Sequence, residues 1–147
     1  MKPVAPRAIA YRTTGSGHGA IVRLMSPGDL GQWLKPFVFL DLFEGESAFI
    51  NGMPMHPHSG IATVTLITEG NLRFDDADSG QGFIDYGGVE WMRAGGGVWH
   101  GKEMSVGTSP RIQAFNCGWP CRRRWKTPAS TASTWSPAPC PRRARHG

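Results

Sequence analysis

The chain has 147 residues, enough for one domain that buries about two thirds of the surface exposed by its unfolded form. Its formal net charge is +5, but the basic side chains cluster beyond residue 121, where no acidic residue balances them, so charge alone does not predict direct nucleic-acid binding. It has three cysteines, all after residue 116, no secretory signal and no apolar run of about eighteen residues. These features predict a soluble, cytoplasmic protein without a disulfide framework or a membrane partner.

Short segments with alternating or β-branched residues follow one another along the chain, separated by Gly and Pro. Period-two alternation bounded by turn residues is typical of strands, and no long window has helical periodicity. Many short strands at regular spacing indicate an all-β sandwich or barrel. The predicted strands lie within residues 8–12 and 20–24 (a hairpin), 35–45, 61–70, 71–75, 83–100 and from 111 onward.

Three histidines form the candidate functional site. His56 and His58 are one residue apart on an extended segment, so their side chains point to the same side. His100 ends a Gly-rich turn and closes a three-cornered site if the two strands lie side by side. Whether Glu103 supplies a carboxylate is open at this point. Each histidine alone is compatible with a partly buried structural role, but the combination favours a metal site.

Neutral imidazoles suit iron, zinc, copper or nickel, and two or three of them with a carboxylate are typical of non-haem Fe(II) sites that use dioxygen. Trp91, Met92 and Trp99 are candidates to line a substrate pocket beside such a site. Ordinary core packing is the alternative for all three, because aromatic side chains and Met are usually buried for their bulk.

The composition changes abruptly at Asn116, from strand-like sequence to Cys, Arg, Ser, Ala and Pro. Such a segment buries too little apolar surface to compensate for the entropy lost on ordering, which predicts a disordered tail over residues 116–147. A shifted reading frame permits Gln-Leu-Trp-Val-Ala-Leu-Pro-Pro-Ala-Leu-Glu instead, a strand followed by a turn. We therefore expect a frameshift near residue 116 that truncates a longer, two-domain protein.

The motifs between residues 8 and 115 resemble the N-terminal domain of the pirin family, a group of proteins with two cupin domains. The resemblance is carried by Phe-Val-Phe-Leu-Asp-Leu-Phe at 37–43, His-Pro-His-Ser-Gly at 56–60, Glu-Gly at 69–70 and Gly-Val-Glu-Trp-Met-Arg-Ala-Gly-Gly-Gly-Val-Trp-His at 88–100. It implies a cupin-type jelly-roll β-barrel over residues 1–115, the N-terminal half of a bicupin, with residues 116–147 as a basic tail.

The same resemblance implies Fe(II) held by His56, His58, His100 and a nearby glutamate. The family pattern places that glutamate two positions after the third histidine, where this chain has Lys102, so Glu103 reaches the metal only if Gly101 allows a bulge or tight turn. The family also usually has a glutamate in place of Ala62.

The resemblance and the expected truncation lead to three interpretations. The first is an Fe(II)-dependent quercetin (flavonol) 2,3-dioxygenase, in which Glu103 is also the catalytic group that takes the substrate proton. The second is a non-enzymatic, iron-binding redox sensor or transcription co-regulator that acts through a protein partner. The third is an inactive truncated fragment. A flavonol-type small molecule or a protein is accordingly the expected partner.

Overall fold

The computed structural model describes residues 7–77 and 79–121, and the backbone of 131–135. Within these ranges the chain forms twelve β-strands and two short 3-10 helices, Leu30–Gln32 and Ser47–Gly52. The strands are β1 (Ser16–His18), β2 (Ile21–Met25), β3 (Phe39–Glu46), β4 (His56–His58), β5 (Ile61–Glu69), β6 (Leu72–Asp76), β7 (Gly80–Ile84), β8 (Val89–Ala94), β9 (Val98–His100), β10 (Met104–Val106), β11 (Arg111–Pro120) and β12 (Thr131–Trp135).

The strands form three antiparallel sheets. The largest has seven strands in the order β1-β2-β3-β11-β5-β8-β12, a second has the order β10-β6-β7, and β4 pairs with β9 in a two-stranded ribbon. The predicted all-β class is confirmed. Neither helix in the described ranges has the length and hydropathy needed to cross a membrane.

The hydrophobic core joins the seven-stranded sheet to the three-stranded one. Side chains from β5 and β11 meet side chains from β6 and β7, together with Ile50 of the second 3-10 helix. Burial of each Ile, Leu or Phe side chain in this core contributes roughly 1.5–3 kcal/mol to the free energy of folding. The core cluster consists of Ile50, Ile67, Leu72, Phe74, Ile84, Ile112 and Ala114. The sheets are thereby held as two facing layers with room for a cavity between them.

The first hairpin differs from its prediction. β1 and β2 pair across the turn at Gly19 and Ala20, whereas residues 8–12 lie outside any strand. Gly19 has a φ of +61°, which a tight two-residue turn requires and which glycine adopts without strain. His18 therefore lies in an edge strand, although it falls between the two strands predicted at 8–12 and 20–24.

Strand β11 continues past residue 115, where the sequence predicts that regular structure ends. Its backbone pairs with β3 on one side and β5 on the other through residue 118 and beyond. Gly118 lies under the Phe39 ring, where an added Cβ would come within 2.7 Å of three ring atoms. Backbone pairing on both sides holds this segment in the sheet despite its change of composition. β12 also pairs, with β8, while the rest of the predicted tail, residues 122–130 and 136–147, lies outside the described residues.

Candidate metal centre

The two-stranded ribbon brings the three histidines together. His56 pairs directly with His100, and His58 pairs with Val98, so the strands do lie side by side as the predicted site requires. Alternation places His56 and His58 on one face, and the residue opposite His56 faces the same way. The three ring centroids are 4.3 to 5.0 Å apart.

The imidazole nitrogens of this cluster are arranged as metal donors. One nitrogen from each of the three rings lies within 4.8 Å of the other two. The Nδ1 of His56 donates to the Pro54 carbonyl at 2.9 Å, and the Nδ1 of His100 lies 2.9 Å from Glu103 Oε1. These acceptors place the proton on Nδ1 and leave Nε2 with its lone pair.

The Nε2 atom of His100 shows the fit to a metal most directly. It is buried, and it has no hydrogen-bond partner among the described residues. Buried polar atoms are normally satisfied, because leaving one without a partner costs free energy. A cation among the three rings would satisfy it, so the donor set fits a divalent transition metal.

The electrostatics of the cluster keep His58 in the neutral form that ligation needs. Burial, with smaller contributions from His100 and His56, lowers the pKa of the His58 imidazole to about 4. At neutral pH this ring therefore carries no charge and offers a lone pair.

Glu103 reaches the site through the turn that Gly101 makes possible. Gly101 has a φ of +127°, and an added Cβ would lie 2.7 Å from the Pro54 carbonyl oxygen. The turn brings the carboxylate back, so that Oε1 meets His100 Nδ1 while Oε2 accepts from the backbone N–H groups of Gly101 and Lys102 at 2.8 and 3.0 Å. The structure thus brings the predicted Glu103 to the site, against the outer nitrogen of His100.

The pKa of the Glu103 carboxyl follows from these contacts. Burial on its own would raise the pKa, but the hydrogen bonds to His100 and to the backbone N–H groups outweigh it and lower the pKa to about 2. Glu103 is therefore an anion at neutral pH, and it holds the Nδ1 proton of His100 in place.

Glu90 is a site residue that the sequence reasoning missed. The residue is 6 % exposed, and its carboxylate forms a second donor group with His100 and Glu103, again within 4.8 Å. Burial raises the pKa of this carboxyl, although the hydrogen bond from Thr65 opposes the shift. The signal was available, because Glu90 shares the inward parity of β8 with the buried Met92 and Ala94.

A family model described as Pirin matches residues 20–117, which covers the ribbon, strands β2 to β10 and most of β11. The chain belongs to the pirin family. The predicted cupin-type fold is confirmed by this match and by the solved structures that the pirin chain resembles.

Two relatives and one solved structure illustrate the similarity. A pirin-like protein of Caulobacter vibrioides is 36 % identical over 117 residues, with 77 % of this chain and 42 % of the relative covered. A Pseudomonas aeruginosa protein that carries quercetin 2,3-dioxygenase as a provisional name is 38 % identical over 101 residues, covering 66 % and 35 %. The structure of a quercetin 2,3-dioxygenase from Acinetobacter baumannii matches with 27 % identity and a TM-score of 0.58, over 78 % of this chain and 42 % of that one.

The chain therefore spans about two fifths of the length of these pirin relatives. Its metal candidates nevertheless all fall inside the segment matched to the family, since His56, His58, His100 and Glu103 lie between residues 20 and 117.

A cavity of about 400 Å³ opens beside the histidine cluster of this pirin domain. His56, His58, His100 and Glu90 contribute to its wall, and most of the remaining lining is apolar. The cavity wall contains none of the three predicted lining residues, Trp91, Met92 and Trp99. The ring centroids of Trp91 and Trp119 lie 4.9 Å apart. Met92 is buried in the core, and Trp99 is 68 % exposed.

Proposed function

We propose that His56, His58 and His100 hold Fe(II), and that the chain is the metal-bearing part of a flavonol 2,3-dioxygenase of the quercetin type that acts in the cytoplasm. The observation that carries the proposal is the buried Nε2 of His100, which lies in a cluster with two other imidazoles and has no hydrogen-bond partner in the described part of the chain. Three neutral nitrogen donors leave coordination positions open for other molecules, as in non-haem Fe(II) oxygenases. Fe(II) bound there would supply the binding and activation of dioxygen.

The protein's own side chains would orient the donors and keep the site dry. Glu103 fixes the His100 ring through Nδ1, and the Pro54 carbonyl does the same for His56. A carboxylate with a pKa of about 2 is a weak base at neutral pH, so we assign Glu103 to positioning rather than to the proton transfer first predicted for it.

The cavity supports a small aromatic substrate. A volume of about 400 Å³ lies within the range of small-molecule sites, and its apolar walls would exclude water from the reacting end. Among the pirin relatives, quercetin 2,3-dioxygenase is the name that a solved structure carries. A flavonol is therefore the substrate class that we assign, with no nucleic acid or membrane as partner.

A second candidate function is metal-dependent binding of a protein partner. The observation that favours it is Trp99, which lies between Val98 and His100 on β9 and is 68 % exposed. A change at the metal site would be transmitted to this exposed side chain through the adjacent His100. Trp is a residue type enriched at interfaces.

Oxygen uptake with quercetin tests the two candidates together. Protein loaded anaerobically with Fe(II) should consume oxygen when quercetin is added, whereas His58→Ala should neither bind iron nor consume oxygen. His18→Ala is the matched control, because His18 lies exposed on β1, away from the cluster.

Each outcome of this test separates the candidates. Iron binding without oxygen uptake would overturn the dioxygenase and leave the metal-dependent interaction protein. Failure to bind Fe(II) or any other divalent transition metal would overturn both candidates and leave the inactive truncated fragment as the remaining interpretation.

A further inference from the structure

Five polar side chains form one continuous row across the inner face of the seven-stranded sheet. Directly paired positions on neighbouring strands carry them, from β2 at one side to β8 at the other. Directly opposite residues in a sheet project from the same face, and all five line the cavity. This cross-sheet row consists of Arg23, Asp41, Asn116, Thr65 and Glu90, in that order.

The row is linked by hydrogen bonds at both ends. Arg23 donates through Nε and Nη2 to the two oxygens of Asp41, the second at 2.8 Å. Asn116 Nδ2 donates to Thr65 Oγ1, which in turn donates to Glu90 Oε2, both at 2.8 Å. The Glu90 end lies beside His100, whereas the Arg23 end is partly open to solvent.

Such a row is costly in a cavity whose remaining wall, apart from the histidine cluster, is mostly apolar. Asp41, Thr65 and Glu90 are all buried, and burying polar groups in a core lowers stability unless each is fully hydrogen-bonded. Well-packed apolar side chains would stabilise the same sheet at lower cost. We therefore attribute the row to recognition of a molecule in the cavity.

The open end of the row offers a donor and an acceptor side by side. Arg23 has five N–H donors, of which Asp41 takes two, and each carboxylate oxygen of Asp41 has a further lone pair. A phenolic hydroxyl both donates and accepts, so it complements this pair. The Arg23 guanidinium also lies 5.0 Å from the Phe39 ring centroid, and Phe39 and Phe43 add flat apolar wall for an aromatic ring.

We propose that the cross-sheet row is the binding track for the substrate, and that the Arg23 and Asp41 pair selects planar aromatic compounds with hydroxyl groups on the ring far from the histidines. The inference rests on the proposed function, since it places the reacting end of the same molecule beside His56, His58 and His100. Arg23 and Asp41 are thus specificity-determining residues at the distal end of the cavity.

Two flavonols that differ only in the hydroxyl groups outside the reacting ring test the inference. Calorimetry on the Fe(II)-loaded full chain, without oxygen, would compare quercetin with 3-hydroxyflavone, which keeps the reacting ring but lacks the other hydroxyl groups. Asp41→Asn should weaken quercetin binding about 10-fold, the scale of a hydrogen bond to a charged group. Binding of 3-hydroxyflavone should remain unchanged.

Glu44→Gln is the matched control, because Glu44 lies exposed on the same strand and does not line the cavity. It should alter neither affinity. Should Asp41→Asn fail to fold, Arg23→Lys replaces it, since Arg23 is partly exposed and Lys keeps the charge without the planar fork. We expect the same loss of affinity for quercetin and no loss for 3-hydroxyflavone.

If Asp41→Asn lowers the affinity for both ligands equally, or does not lower the affinity for quercetin, the inference is overturned. The dioxygenase proposal stands in that case if oxygen uptake persists. If the iron-loaded protein binds neither flavonol, both the binding track and the dioxygenase are overturned. The Fe(II) affinity measured in the same samples then shows whether the histidine cluster binds iron.

Discussion

The histidine ribbon and the cross-sheet row are built in opposite ways. In the ribbon, six residues of β4 and β9 carry all three imidazoles, and the supporting acceptors Pro54 and Glu103 lie within three positions of the histidines that they hold. In the row, five different strands contribute one side chain each, and the register of the large sheet alone aligns them. A single strand pair, with short-range turns beside it, makes the first, and the order of five strands in the large sheet makes the second.

The difference implies a division of labour. The ribbon would set metal affinity, because its groups are the donors and their direct orienting partners. The row would set ligand affinity, because its groups face the cavity at positions far from the donors, except at Glu90. Variants that affect one property without the other would sharpen this comparison, and variants that affect both equally would break it.

The largest effect is expected from His58→Ala. Loss of one of three donors should lower Fe(II) affinity by more than about 100-fold, beyond the roughly 10- to 100-fold typical of outer partners. Calorimetric titration under anaerobic conditions would measure it. His18→Ala and, in the row, Asp41→Asn should stay within about twofold of the parent, as expected for independent sites. A comparable loss in Asp41→Asn would contradict the division.

Glu103→Gln should have a smaller effect on Fe(II) affinity, measured by the same calorimetric titration. The amide keeps the size of the side chain but weakens the hold on the His100 Nδ1 proton, so Fe(II) affinity should fall by about 10- to 100-fold. A loss as large as that of His58→Ala would instead indicate that Glu103 is itself a ligand, as the family resemblance implies. Glu44→Gln, exposed on β3, serves as the control.

Gly101→Ala should destabilise the turn that returns Glu103 to the cluster. The φ of +127° is unfavourable for alanine, and the new Cβ would lie 2.7 Å from the Pro54 carbonyl oxygen. The free energy of unfolding should fall by about 1–3 kcal/mol, the usual cost of a residue forced into such backbone geometry. Urea denaturation of the metal-free protein would measure it. Gly17→Ala is the control, because a Cβ there meets nothing within 4 Å, and an equal loss in both would argue against the turn.

The pH dependence of stability tests the charge states within the cluster. Because the pKa of His58 is about 4 in the fold against 6.5 ordinarily, the unfolded chain binds a proton in this window that the folded chain does not. The free energy of unfolding of the metal-free protein should therefore fall as the pH drops from about 6.5 to 4. Glu103, with a pKa of about 2 against 4.5, extends the loss from about pH 4.5 downward.

Urea denaturation at several pH values would follow both steps. His58→Gln should flatten the first step and keep the second, while His18→Gln should retain both. An unchanged first step in His58→Gln would show that this imidazole titrates normally in the fold.

Much of the fold could be predicted from the sequence, because strand alternation is a local signal. The run at 61–70 is recovered as β5, Ile61–Glu69, with one face buried. The first strand of the hairpin was misplaced, since the alternating residues 8–12 resemble a strand but the turn at Gly19 selects Ser16–His18 as the partner of β2. The end of β11 was placed too early, because composition does not report backbone pairing on both sides.

By itself the sequence determined that His56 and His58 share one face and that Glu103 needs a turn at Gly101, because one-residue spacing on a strand and a glycine beside a displaced glutamate act over a few positions. Only the tertiary structure decided which groups share the cavity. It paired His100 with His56, placed Glu103 behind His100, and kept Trp91 and Trp99 out of the cavity wall. It also aligned Arg23 with Glu90 across five strands. The physical reason is that alternation defines two faces of a strand, while the pairing of distant strands decides which face is inside and what lies opposite.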